Sequence, residues 1–75
     1  MINLTVQDRR VLEYVSEHPG SNATQVAEGL GLTREQALGF LVKLYEEYLI
    51  ALSIMEIARI TEAGKARLQP DSPHG

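Results

Sequence analysis

Residues 33–49, TREQALGFLVKLYEEYL, read as one helix opened by an N-cap threonine, Thr33. Each helical residue turns the wheel by about 100°, so the faces follow from the order of residues. Ala37, Leu41, Leu44 and Tyr48 fall on one line, which a small helical domain would bury. Leu38, Val42, Tyr45 and Leu49 fall on a second line beside it, and Phe40 flanks the first. The apolar arc covers about 200°, roughly twice the stripe that a surface helix turns toward one core. Glu35, Gln36, Gly39, Lys43, Glu46 and Glu47 make up the polar remainder. The helix is therefore either sunk deep in its own fold or shared with a partner.

Working back toward the start, Gly31-Leu32 makes a tight turn before Thr33, and Thr24 to Leu30 forms a short helix. Thr24 is its expected cap, with Val26, Ala27 and Leu30 inward. Two helices joined by a glycine-containing turn make a helix-turn-helix. A first helix begins at Thr5, where Asp8 completes a capping box, and runs to about Glu17 with Val11, Leu12 and Val15 inward. His18-Pro19-Gly20 ends it, and His18 reads as a helix C-terminal cap rather than a titrating switch.

After Leu49 the pattern changes. Ile50-Ala51-Leu52-Ser53 and Ile57-Ala58-Arg59-Ile60 are short and β-branched-rich, as paired strands are. The connection Ile54-Met55-Glu56 lacks the Gly, Asn or Asp that a two-residue hairpin favours, so the alternative is a central helix running on past Leu49. Thr61 to Leu68 reads as a short capped last helix in which Gly64 permits close packing. The expected architecture is mainly α with a small β-hairpin: three helices, a two-stranded wing and a C-terminal helix over residues 1–68, then a flexible tail over 69–75.

The totals narrow the function. At 75 residues, with 44% apolar and 23% charged, the chain makes one folded domain near the lower size limit for independent stability. The absence of cysteine excludes disulfides and thiolate metal sites. His18 and His74 lie far apart, and no metal or other cofactor is expected. No stretch approaches the ~20 apolar residues of a membrane span. Met1 to Thr5 lacks the basic start of a signal peptide, so a cytoplasmic location is expected. Neither paired carboxylates suited to a cleft, nor a Ser-His-Asp or Cys-His set, nor a phosphate-cradling glycine loop is present, and an enzyme is not expected. The net charge of −3 requires any phosphate-binding surface to be local.

The element order spells a winged helix, and three segments carry a resemblance to bacterial winged-helix regulators. Thr24-Gln25-Val26-Ala27-Glu28-Gly29-Leu30-Gly31-Leu32-Thr33 resembles their S-x-L-A-x-x-L-G-L-S segment. Leu49-Ile50 resembles the G-L-I that enters the wing. Ile60-Thr61-Glu62-Ala63-Gly64-Lys65-Ala66-Arg67-Leu68 is similar to the L-T-E-A-G-R-x-x-L that follows the wing in MarR-like and PadR-like repressors. The resemblance implies a transcriptional regulator that binds double-stranded DNA as a dimer, with the third helix in the major groove and the wing on the backbone or minor groove. It places Arg34, Glu35, Gln36, Gly39, Phe40 and Lys43 toward the groove, with Gln36 on adenine, Arg34 on guanine or phosphate, and Lys43 on phosphate. The amides at Thr33 and Arg34 would hold a further phosphate, and Arg59 is the one basic residue of the wing.

A second reading rests on the residues alone. Leu38, Val42 and Tyr45 form an apolar stripe, and Ile54 and Met55 sit at a hairpin tip with little protein to pack against. Such a surface fits a homodimer or another protein partner. Arg9 and Arg10, the only adjacent basic pair, read as a solvated face with Arg9 pairing to Glu13, and Lys65 and Arg67 complement the last helix's dipole.

Overall fold

Thr5 sets the first helix, because its side chain and that of Asp8 satisfy each other's backbone amides. Asp8 N–H donates to Thr5 Oγ1 and Thr5 N–H to Asp8 Oδ2, each at 3.0 Å. The computed structural model describes residues 3–69, and α1 spans Val6–Glu17. Val11, Leu12 and Val15 are fully buried along its inner face. His18 is the C-cap, as expected, with its ring 4.3 Å from that of Tyr14.

The second helix, α2, spans Ala23–Leu30 and is capped by Asn22, not by Thr24. Asn22 wins because it forms a complete capping box with Gln25, at 2.9 Å in each direction, whereas Thr24 lies exposed inside the first turn. Gly31 closes α2 in the left-handed region at φ 69°, where a Cβ would be strained.

Helix α3 spans Arg34–Glu46, shorter at its end than the wheel implied. Thr33 caps it in a third capping box, with Gln36. Past Glu47 the chain reverses through Tyr48 at φ 62°. The reversal drives Leu49 and Ile50 into the core and swings Tyr48 out to 80% exposure, so Tyr48 leaves the buried line on which helical spacing had put it. Thr61 holds this turn from outside the helix. Its hydroxyl donates to the Tyr48 carbonyl at 2.7 Å and its amide to the Leu49 carbonyl at 3.1 Å. The carbonyls orphaned at the end of α3 are met locally, Leu44 by the Leu49 amide and Tyr45 by the Tyr48 amide, each at 3.0 Å, and Thr61 takes those of Tyr48 and Leu49 beyond them.

Strands β1 (Ile50–Leu52) and β2 (Ala58–Ile60) then pair antiparallel, Ile50 with Ile60, Ala51 with Arg59 and Leu52 with Ala58. The hairpin therefore forms without the expected turn residues. Ser53 replaces them: its Oγ accepts the amides of Met55 and Ile57, and Glu56 takes the left-handed position at φ 63°. On its other side Ala58 bridges to Ser21, in the loop between α1 and α2. Helix α4 spans Glu62–Leu68, capped by Thr61. Gly64 lets it close on the hairpin, since a methyl group there would overlap the Leu49 carbonyl. Of the tail expected over 69–75, Gln69 serves as the C-cap of α4, and the rest lies outside the described residues.

The core gathers one face of each of α1, α2 and α3 with Leu49, Ile50 and Ala58 of the hairpin. The architecture is the expected winged helix, and α3 lies across it with one long side uncovered. Among the described residues no helix is long and apolar enough to cross a membrane, and no group of acidic residues and histidines is placed to hold a metal.

Candidate nucleic-acid interface

The uncovered side of α3 begins at its capped N-terminus. Thr33, Arg34, Glu35, Gln36 and Gly39 are exposed there, with Phe40 and Lys43 half-buried behind them. Glu35, Gln36, Gly39, Phe40 and Lys43 line a shallow groove along the helix. Gly39 opens this surface midway along the helix, since a Cβ added there would meet nothing within 4 Å.

Three of the polar side chains expected to face a ligand, Gln36, Arg34 and Lys43, are already engaged within the chain. Gln36 folds back to its own helix start, its Oε1 accepting the Thr33 amide at 3.0 Å, so its side-chain NH2 group is what faces outward. Arg34 reaches across to the wing and pairs with the Glu56 carboxylate. Lys43 turns inward, its Nζ 2.7 Å from Asp8 Oδ2. Arg59 stands apart from this group: it is exposed on β2 opposite Ala51, with its guanidinium over Gly20. The structure thus gathers Thr33, Arg34, Gln36, Gly39 and Lys43 on one helix face and leaves Arg59 on the hairpin.

The partner of Lys43 is unusual for a domain this small. Asp8 is fully buried, and its Oδ1 has no hydrogen-bond partner. Burial alone pushes the carboxyl's pKa up. The hydrogen bond from Lys43, those from the Thr5 amide and hydroxyl, and the Lys43 charge outweigh it and hold the pKa below its ordinary value. Asp8 is therefore an ionised strut between the first turn of α1 and the last turns of α3.

The apolar residues singled out for a partner surface are open to different degrees. Leu38 is half-buried, whereas Val42 is 39% and Tyr45 49% exposed. At the wing, Ile54 is 100% and Met55 73% exposed. One domain does not hide all the apolar surface that α3 carries. One smaller expectation changed: Arg9 reaches the Leu68 carbonyl, at 3.5 Å, rather than Glu13. Lys65 and Arg67 lie in the last turn of α4 as read, and Lys65 also pairs with Glu62 at 3.2 Å. Two site residues went unnoticed in the sequence as partners of α3. Asp8 carries a local capping signal that says nothing of Lys43, 35 positions on, and Glu56 in the wing carries no local signal for Arg34.

No family model and no curated protein matches the chain. Solved structures match it well. The transcriptional repressor CouR, bound to p-coumaroyl-CoA, is 30% identical, with a TM-score of 0.79 over 88% of this chain and 49% of its own. A MarR-family transcriptional regulator from Rhodococcus sp. RHA1 is 30% identical, with a TM-score of 0.77 over 87% of this chain and 50% of its own. The Mycobacterium tuberculosis MarR family protein Rv2887, in complex with DNA, is 25% identical, with a TM-score of 0.79 over 87% of this chain and 50% of its own. The fold is that of MarR-type winged-helix DNA-binding domains. The chain spans about half the length of the solved proteins it matches.

Proposed function

We propose that this MarR-type winged helix is the DNA-binding part of a transcriptional regulator, non-enzymatic and cytoplasmic, that acts on double-stranded DNA as a dimer. The observation that carries the reading is the likeness to Rv2887, a protein crystallised with DNA, across nearly the whole described chain. The uncovered side of α3 supports it, because a helix free along its length beside a hairpin is what the major groove admits. In this reading α3 enters the groove with its capped end toward a phosphate, received by the Thr33 and Arg34 amides and the Arg34 guanidinium. Gly39 allows close approach to base edges, and Gln36 presents its NH2 group to an acceptor there. Arg59 meets the backbone from the hairpin. Lys43 contributes by fixing α3 to α1 through Asp8, with a phosphate contact as the weaker part of its role.

Affinity for duplex DNA across a salt series tests this. A regulator making several phosphate contacts loses affinity linearly on a log–log scale as salt rises. Absence of saturable binding at low salt would overturn the proposal.

One observation favours a second reading. Val42, Tyr45, Ile54 and Met55 stay exposed while the cations of α3 are paired internally. A protein interface through Leu38, Val42, Tyr45, Ile54 and Met55, with a second copy or another protein, uses that surface directly.

A further inference from the structure

Both cations of α3 are held by acids from outside the helix, Lys43 by Asp8 of α1 and Arg34 by Glu56 of the wing. The two pairs differ in what release would leave behind. Freeing Lys43 strands a fully buried carboxylate, one of whose oxygens already lacks a partner, and an uncompensated buried charge is costly. Freeing Arg34 leaves Glu56, a side chain already 30% exposed on a short loop, to be hydrated by solvent. Exposed ion pairs are weak, so this one can be exchanged for another anion.

The loop is built to aim that carboxylate. Glu56 sits at φ 63°, a left-handed conformation that disfavours any residue with a side chain. Its amide donates to the Ser53 carbonyl at 2.9 Å, and the Ser53 hydroxyl holds the amides on either side of it. We propose that Glu56 is an autoinhibitory latch: it occupies Arg34, draws the wing tip to the start of α3, and must be displaced by a DNA phosphate before the face engages. This rests on the DNA-binding reading above. A phosphodiester competes for the same guanidinium and repels the carboxylate it displaces, so occupation of α3 releases the wing.

The test is a double-mutant cycle of Glu56→Gln and Arg34→Gln, read by affinity for a mixed-sequence duplex and by amide hydrogen exchange at Met55 and Ile57 without DNA. Glu56→Gln should tighten binding about two- to fivefold. The gain should vanish in the Arg34→Gln background, and each single change should speed exchange at the wing tip. A gain of equal size in both backgrounds overturns the latch, because it reports only the removal of a negative charge. Unaltered binding, or an unaltered wing in both single variants, overturns it too. If none of the four proteins binds DNA, the DNA reading fails and takes the gate with it, whereas failure of the cycle among proteins that do bind sinks the latch alone.

Discussion

Asp8 serves two structures at once, since the carboxylate that caps α1 also receives Lys43 from α3. Because its pKa lies below the ordinary value in the folded chain, the unfolded chain takes up a proton first as pH falls. The stabilisation it gives is therefore present in full above about pH 4 and is lost as pH drops through the folded-state value. Asp8→Asn should destabilise the domain by about 1–3 kcal/mol at neutral pH, since it weakens a buried charged pair without creating a cavity. Denaturant melts at pH 7 and pH 3 check the sign, because the gap from wild type should shrink at the lower pH. An equal gap at both would assign the effect to packing rather than charge. The pair itself was invisible in the sequence. Local spacing identifies a capping box, but nothing local reports which residue comes to lie against the carboxylate's outer oxygen.

At the scale of elements, α3 carries a glycine that its own fold does not need. Gly39 is mid-helix and exposed, and a side chain there would meet open space, so Gly39→Ala should stabilise the domain by up to about 1 kcal/mol. A thermal melt checks this. In the DNA-binding reading the same substitution should weaken affinity, because a methyl group then stands on that open surface. Higher stability with unchanged affinity would separate Gly39 from the interface. The helices were largely legible beforehand, since Thr5, Thr33 and Thr61 all cap as read and the inner faces of α1 and α3 follow from helical spacing. Asn22-Ala23-Thr24-Gln25 also carries the capping-box spacing, which is the signal that sets the cap of α2 at Asn22 rather than Thr24. The end of α3 was not legible. Tyr48 fits the apolar line, yet it takes a left-handed conformation that turns the Tyr48 and Leu49 amides back onto Tyr45 and Leu44. Thr61, thirteen positions on, holds that turn from outside, and neither signal is written in the helical spacing.

Across the whole molecule, a net charge of −3 combines with internally paired cations on α3 and apolar side chains left open along α3 and the wing. That balance makes association between chains the first property to measure. If the apolar stripe is an interface, Val42→Asp or Met55→Asp should convert an oligomer to monomer in analytical ultracentrifugation while circular dichroism stays native. A wild-type chain that remains monomeric at high concentration counts against self-association. The proposed DNA face and the proposed protein face were legible in the sequence only as overlapping candidates, because one helix supplies both. The contacts that engage its cations come from Asp8 of α1 and Glu56 of the wing, which carry no local signal of those pairings.

The bridge between Ser21 and Ala58 sets the reach of the hairpin. With Ala58 tied to that loop on one edge and to Leu52 on the other, and the Ser53 amide bonded to the Ile57 carbonyl at 3.0 Å, the pivot lies beyond the paired strands, and only Ile54 to Glu56 are left to swing. A segment that short relaxes in nanoseconds to microseconds. The tip therefore re-equilibrates many times within one macromolecular encounter, and its opening enters association as a population factor rather than as a separate kinetic phase.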